Sequence, residues 1–294
     1  MEEILSFNQK IICPNCSKVF FFDDTMFNQY FRTGSVVHKD CKGEFNLLDA
    51  LLIQIKGAFR HFGWHYNLLG CKGKAINFYL SPNELHQLNL SQEIEGGEIL
   101  FVNFTRSSGN LYPIVMTSNS PFPNKIPNTF TFVPYTTEKE PRKSRISMLY
   151  FYASRGQLDD LSTKLMIDAF KSYIIGDARN MSISAQTSIE VLQYRFCEKL
   201  LAENMISKDK IRSFLEDKNT FSTQAFTLLP FLSSCLKFPY PDDKILEGVK
   251  NLVKIRNDFV HRGKSGKHVT EERLSRVLLT SFILFKYYKV VHNL

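Results

Sequence analysis

Two groups of residues in this chain have the types and spacing that chemistry needs. The first is Arg256-Asn257-Asp258-Phe259-Val260-His261. When RNA is cut by its own 2′-OH, one group must take a proton and another must protonate the leaving oxygen. Histidine suits both tasks near neutral pH. Positive charge must also meet the phosphorane, and an arginine fork matches phosphate oxygens and stays charged. Asn257 and His261 stand four apart, so on a helix they share a face and the amide can orient the imidazole. The same residues also read as an ordinary helix end with a basic residue and a capping histidine.

The second group is Cys13-Pro14-Asn15-Cys16 with His38-Lys39-Asp40-Cys41. Two pairs, each spaced by two residues, can form two knuckles around one tetrahedral zinc ion. Pro14 tightens the first turn and Gly43 permits close backbone approach after the second. The 21 residues between the pairs suit a zinc ribbon, with a strand over Val19–Phe22. Four protein ligands fill the shell, so the role is structural. Reduced thiols beside a surface histidine are the plainer alternative. Of the six cysteines, Cys71, Cys197 and Cys235 are scattered and read as small buried residues.

The elements that must position these groups follow from periodicity. Ile245, Val249, Leu252, Val253, Phe259 and Val260 recur at steps of three and four, which predicts a helix over Asp242–Arg262. Continued from Leu252, the stripe meets Arg256, a charge where a core residue is expected. A buried guanidinium needs a carboxylate, a second subunit or a ligand. Glu190 lies among Ile183, Thr187, Tyr194, Cys197 and Leu201 and is a candidate partner, although an exposed helix glutamate is an equal reading. Gly263 suits a helix stop. The basic loop Arg262 to His268, with Lys264 and Lys267, is a candidate phosphate contact.

Helical patterns are expected over Leu158–Ile175, Ser182–Glu203, Ser207–Asp217, Thr223–Leu236 and Thr270–Val291, an antiparallel bundle. Strands are expected over Ile76–Leu80, Ile99–Thr105, Tyr112–Thr117, Thr129–Tyr135 and Ile146–Ala153, with a hairpin turn at Ser107–Asn110 and an exposed loop or linker at Glu138–Arg145. Leu47–Trp64 reads as a helix, and His61, Trp64 and His65 as its packed end. The fold class is thus α+β: a zinc ribbon over residues 1–50, a small β-rich domain over 51–154, and an all-α bundle over 155–294.

The arginine, asparagine and histidine at the close of the penultimate helix resemble the signature of the HEPN superfamily, over about the last 140 residues. The layout, a β-rich region before a C-terminal helical domain, resembles that of bacterial anti-phage and abortive-infection proteins. The resemblance implies a metal-independent endoribonuclease in which His261 is the acid or base, Arg256 stabilises the transition state and Asn257 positions the histidine. It also implies a polar residue on the facing helix, here Glu190, and a homodimer that brings two motifs together. Expected partners are RNA (tRNA or mRNA) and a regulatory protein or phage-derived trigger. Domains of this superfamily also act without cutting, as RNA-binding modules, adaptors or antitoxin partners, and that is the alternative.

Composition sets the frame. The 294 residues are 44% hydrophobic and 22% charged, which suits globular domains. No apolar run is long enough to span a bilayer, and the acidic start Met1-Glu2-Glu3 is unlike a secretory signal. The cytoplasm is the expected location, with no membrane partner. Net charge is +8, and Pro241 to Leu294 holds 11 Lys/Arg against 6 Asp/Glu. A basic segment around the arginine and histidine favours a polyanion.

Overall fold

The computed structural model describes residues 9–58, 64–116, 126–204, 206–217, 220–262 and 269–292. They form an α+β protein in two compact units, one of residues 64–160 and the other of residues 9–58 with 161–292. Among the described residues no helix is long and apolar enough to cross a membrane.

The N-terminal segment alternates hairpins and helices. Strands β1 (Gln9–Ile12) and β2 (Val19–Phe22) pair antiparallel, and α1 (Asp24–Thr33) follows. A second pair, β3 (Val36–Val37) and β4 (Glu44–Phe45), leads into α2 (Leu47–Ala58). The connection expected to be ribbon is therefore largely helix. The Asp23 carboxylate accepts the Met26 amide at 2.9 Å as an N-cap. Phe27, Tyr30 and Phe31 fall three and four apart and are buried. Gly34, at φ 78°, ends the helix and returns its amide to the Tyr30 carbonyl at 2.7 Å.

This segment belongs to the helical unit. That unit continues with α5 (Leu161–Ile174), α6 (Ala178–Glu203), α7 (Lys208–Arg212), α8 (Phe221–Thr223), α9 (Leu229–Leu236), α10 (Asp243–Arg262) and α11 (Glu271–Lys286), with π-helical turns at Ser213–Asp217, Gln224–Leu228 and Tyr287–Val291. α11 packs against α2, α5, α6 and α10, and every residue from Val277 to Lys286 is buried. A helix stretch buried on every side lies at a core. α10 approaches it closely at Gly248, where a Cβ would run into the Thr280 side chain. The Phe31 and Tyr287 rings pack at 4.8 Å, and the buried Lys286 ammonium reaches Asp24 at 3.1 Å. The N-terminal hairpins and helices thus share one core with the bundle.

The other unit holds two short helices, α3 (Trp64–Leu68) and α4 (Arg155–Asp159), and strands β5 (Lys72–Leu80), β6 (His86–Asn89), β7 (Glu98–Ser108), β8 (Tyr112–Met116), β9 (Thr129–Tyr135) and β10 (Ser144–Ala153). Two antiparallel three-stranded sheets, ordered β5-β10-β7 and β6-β9-β8, face each other. Ile146, Met148, Tyr150 and Tyr152 alternate inward from β10 and meet Phe130 and Phe132 of the opposite sheet. His65 is fully buried, whereas His61 lies outside the described residues.

Two local expectations change and a third gains detail. The helix expected from Leu158 is broken at Asp160, whose extended backbone separates α4 from α5. Ser107–Asn110 is not a hairpin turn, because β7 pairs with β10 while β8 pairs with β9. The turn passes the chain from one sheet to the other, with Gly109 at φ 75° against the Lys143 carbonyl. The Glu138–Arg145 stretch is the expected exposed loop as far as Lys143, and it is anchored at its base. Buried Asn110 donates to Glu138 Oε2 and to the Glu140 carbonyl, both at 2.8 Å, and accepts the Arg142 amide at 2.7 Å.

Candidate functional site

The metal-ligating expectation meets a compact cluster. One ligand atom from each of Cys13, Cys16, His38 and Cys41 lies within 4.8 Å of the others. Cys13 and Cys41 sulfurs are 3.7 Å apart, and His38 Nδ1 stands 3.3 Å from both Cys16 and Cys41 sulfurs. An ion held tetrahedrally at ~2.3 Å from sulfur and ~2.0 Å from nitrogen sets sulfur–sulfur edges of ~3.8 Å and sulfur–nitrogen edges of ~3.5 Å. The four residues fit one metal ion.

The backbone shows why. Both knuckles use the same hydrogen bonds. The Ser17 amide returns to the Cys13 carbonyl at 2.9 Å, and the Cys13 amide meets the Lys18 carbonyl at 2.9 Å. Lys42 returns to His38 at 2.9 Å, and His38 meets Gly43 at 3.0 Å. Ser17 and Lys42 occupy equivalent places, at φ 60° and 55°. Gly43 is needed for close approach of the knuckles, since a Cβ there would strike the Asn15 side chain. Cys13 and His38 are buried, and the Phe20 ring lies 4.8 Å from the imidazole. Burial opposes ionisation of the Cys13 thiol, but the Asn15 and Cys16 amides outweigh it and hold the group below the ordinary thiol range.

The arginine–histidine group closes α10. Ile245, Val249, Leu252, Ile255 and Phe259 form the buried stripe. Ile255, not Arg256, takes the core position after Leu252. The helical step of 3.6 residues falls between the two, so Arg256 stands on the rim of the buried face and is partly exposed. His261 is exposed. Arg256 Nη1 donates to Asn257 Oδ1 at 3.0 Å and faces His261 Nε2 at 3.4 Å. Arginine can only donate, so this contact takes the lone pair of an imidazole protonated at Nδ1. The asparagine carbonyl holds the guanidinium, and the expected contact to the imidazole is replaced by this one.

Glu190 is not brought to Arg256. Its Oε1 accepts from Gln186 Nε2 at 2.7 Å, one turn away on α6, and among the described residues no ion pair joins it to the arginine. The Arg262 side chain, Gly263, Lys264 and Lys267 lie outside the described residues.

One residue that positions α10 has distant partners that no local signal announces. Asp242 caps the helix, its Oδ1 accepting the Ile245 amide at 2.9 Å. Its Oδ2 accepts the Tyr30 hydroxyl at 2.7 Å and Asn46 Nδ2 at 2.9 Å. Asp49 pairs with Lys244 at 2.6 Å beside it. The helix bearing Arg256 and His261 is thus held at its start by the metal-ligating segment. No family model, curated protein or solved structure matches the chain.

Proposed function

We propose that the protein is a HEPN-type endoribonuclease that cuts RNA by 2′-OH attack without a catalytic metal, in a toxin or anti-phage abortive-infection role. The observation that carries this reading is the contact of Arg256 Nη1 with both Asn257 and His261 at the exposed end of α10. It groups a phosphate-binding fork, a proton acceptor and a polar support at one exposed position.

In this mechanism His261 Nε2 takes the 2′-OH proton or, once protonated, delivers one to the leaving 5′-oxygen. Arg256 binds the non-bridging oxygens and meets the charge of the phosphorane. Substrate phosphate draws the guanidinium off Nε2 and leaves that nitrogen available as a base. Asn257 is a positioning residue that acts through Arg256. The product ends in a 2′,3′-cyclic phosphate. One chain supplies one arginine and one histidine, so the reading includes a homodimer in which two α10 ends meet. Equilibrium sedimentation checks this, and a monomer at working concentration counts against it.

The bound ion in this reading is zinc, since a three-thiolate, one-imidazole donor set suits it. Its place is structural, because the shell is full.

The test is incubation of total RNA and tRNA with the wild type, Arg256→Ala and His261→Ala in buffer freed of added divalent ions, with zinc content verified. Cleavage by wild type alone, leaving cyclic phosphates, supports the assignment. Equal cleavage by all three sinks it.

A further inference from the structure

The helical unit has a cleft of about 390 Å³ beside the last turn of α10. It lies where the turn between α5 and α6 meets Phe259 and the first turn of α11. Tyr173 and Phe259 are its buried lining, and Leu274 is half-buried beside them. The Tyr173 hydroxyl is fixed by a 2.7 Å hydrogen bond with that of Ser275. Arg179 and Glu271 stand at its exposed rim.

Phe259 ties this cleft to the arginine–histidine group. At 3.6 residues per turn it falls about 60° to one side of Arg256, and His261 falls about 140° to the other. Side chains three apart on a helix adjoin, so a phosphate held by Arg256 has the histidine on one flank and the cleft on the other. The volume is that of a site for one small ligand, and apolar rings below a few polar groups are the usual lining. A phosphate does not suit it. Asp177 and Glu271 outnumber Arg179 in the lining, and Asp177 already caps α6, accepting the Asn180 amide at 3.0 Å and Asn180 Nδ2 at 2.6 Å. A base suits it, with flat apolar faces and polar edges. Guanine alone among the four pairs O6 and N7, two acceptors spaced for a guanidinium fork, with N1–H and N2–H, two donors spaced for a carboxylate. We infer that the cleft takes a guanine base next to the scissile phosphate, packed against Phe259, with Arg179 donating to O6 and N7 and Glu271 accepting from N1–H and N2–H.

That the base belongs to an RNA substrate rests on the ribonuclease reading, so base preference is measured apart from cutting. The full chain carrying His261→Ala is titrated into a labelled oligouridine and into the same strand with one central guanosine, adenosine or cytidine, and followed by anisotropy. Guanosine is expected to bind about ten-fold tighter than each of the others. Arg179→Gln is expected to cut that ratio to about two, and Ala178→Leu, which fills the cleft from the first residue of α6, to remove it. Each ratio is taken on one protein, so a general loss of charge cancels. Thermal unfolding verifies that the variants are folded, and the exposed Arg179 carries the test if Ala178→Leu is not. Equal binding of the four strands, a preference for another base, or a guanosine preference that survives the substitutions overturns the inference. So does a folded parent that binds none of the strands, or free guanosine monophosphate that binds as tightly as the strand. Guanosine preference without any cleavage by wild type fails only the ribonuclease reading, and cleavage without base preference fails only the guanine site.

Discussion

The Tyr30 hydroxyl donates to Asp242 Oδ2 at 2.7 Å, across 212 positions of sequence. Tyr30 is 1% exposed, and burial, followed by the neighbouring carboxylate, drives its phenol far above the ordinary range. The carboxylate serves two elements at once, capping α10 and closing the polar side of α1. Tyr30→Phe removes the bond to Asp242 and the longer one accepted from Asn46 at 3.3 Å, but leaves Oδ2 with Asn46, so the expected loss is ~1 kcal/mol. Asp242→Ala removes the cap and strands two donors, and the expected loss is about 3 kcal/mol. Urea unfolding followed by helical circular dichroism measures both. Equal, negligible losses would show that the junction does not stabilise α10.

A metal ion held by the knuckles would act on the bundle through the same junction. The ligands and the bundle share a core through Phe31, Tyr287 and the Lys286–Asp24 pair. Metal binding that exists only in the folded state adds directly to folding stability. One zinc per chain is expected by elemental analysis. A strong chelator, or Cys13→Ser, is expected to lower the melting temperature of the helical signal by several degrees. Helical melting that ignores metal removal would show that the segment is independent of the bundle.

Much of this architecture is legible locally. The α10 pattern, the two ligand pairs and the β-branched strand runs each announce themselves within a window of about ten residues. What escapes the sequence depends on partners far along the chain or on a fraction of a turn. Ile255 and Arg256 are adjacent, and only the packed helix shows which one is buried. α1 has a full set of signals in Asp23, the Phe27–Tyr30–Phe31 spacing and Gly34, but the flanking ligand pairs suggest a ribbon and mask it. Asp242 is expected as the first helical residue but caps α10 instead, and nothing nearby points to Tyr30 or Asn46. Glu190 accepts from buried Gln186 one turn away on α6, a pairing that the apolar stripe does not announce. The Ser107–Asn110 turn has hairpin composition, yet strand order is a property of the whole sandwich.

The Asn257 contact separates two roles that the sequence assigns to one amide. If Asn257 serves the arginine, Asn257→Ala is expected to reduce cleavage about ten-fold, with His261 still competent, while Arg256→Ala costs about a hundred-fold or more. Arg256→Lys should not restore activity, because an ammonium cannot bind phosphate through two parallel donors. Single-turnover cleavage rates decide. An Asn257→Ala loss as large as that of His261→Ala would return the amide to the imidazole.

His292 gives the helical unit a defined acid sensitivity. Its ring lies 3.9 Å from Phe196 and 4.6 Å from Tyr287, and Phe238 closes a third side at 5.7 Å. Burial first, and Lys199 second, push its pKa down to about 4 from 6.5. The folded state therefore keeps the imidazole neutral where the unfolded chain already binds a proton. Between those two values the unfolded state holds more protons, so stability rises with pH, is complete above about 6.5 and is lost as pH falls toward 4. In a dry core such a shift would amount to ~3 kcal/mol, and solvent at the partly open ring reduces it to roughly 1–2 kcal/mol. Metal loss at low pH adds a slope of its own, so the readout is the difference between wild type and His292→Phe in zinc-saturated buffer. The variant is expected to lose less stability than wild type on going from pH 7 to pH 5, since an apolar ring in the Phe196–Tyr287 cage has no proton to gain. Identical slopes for the two proteins would place the acid sensitivity elsewhere, with the cysteine–histidine cluster the first place to look.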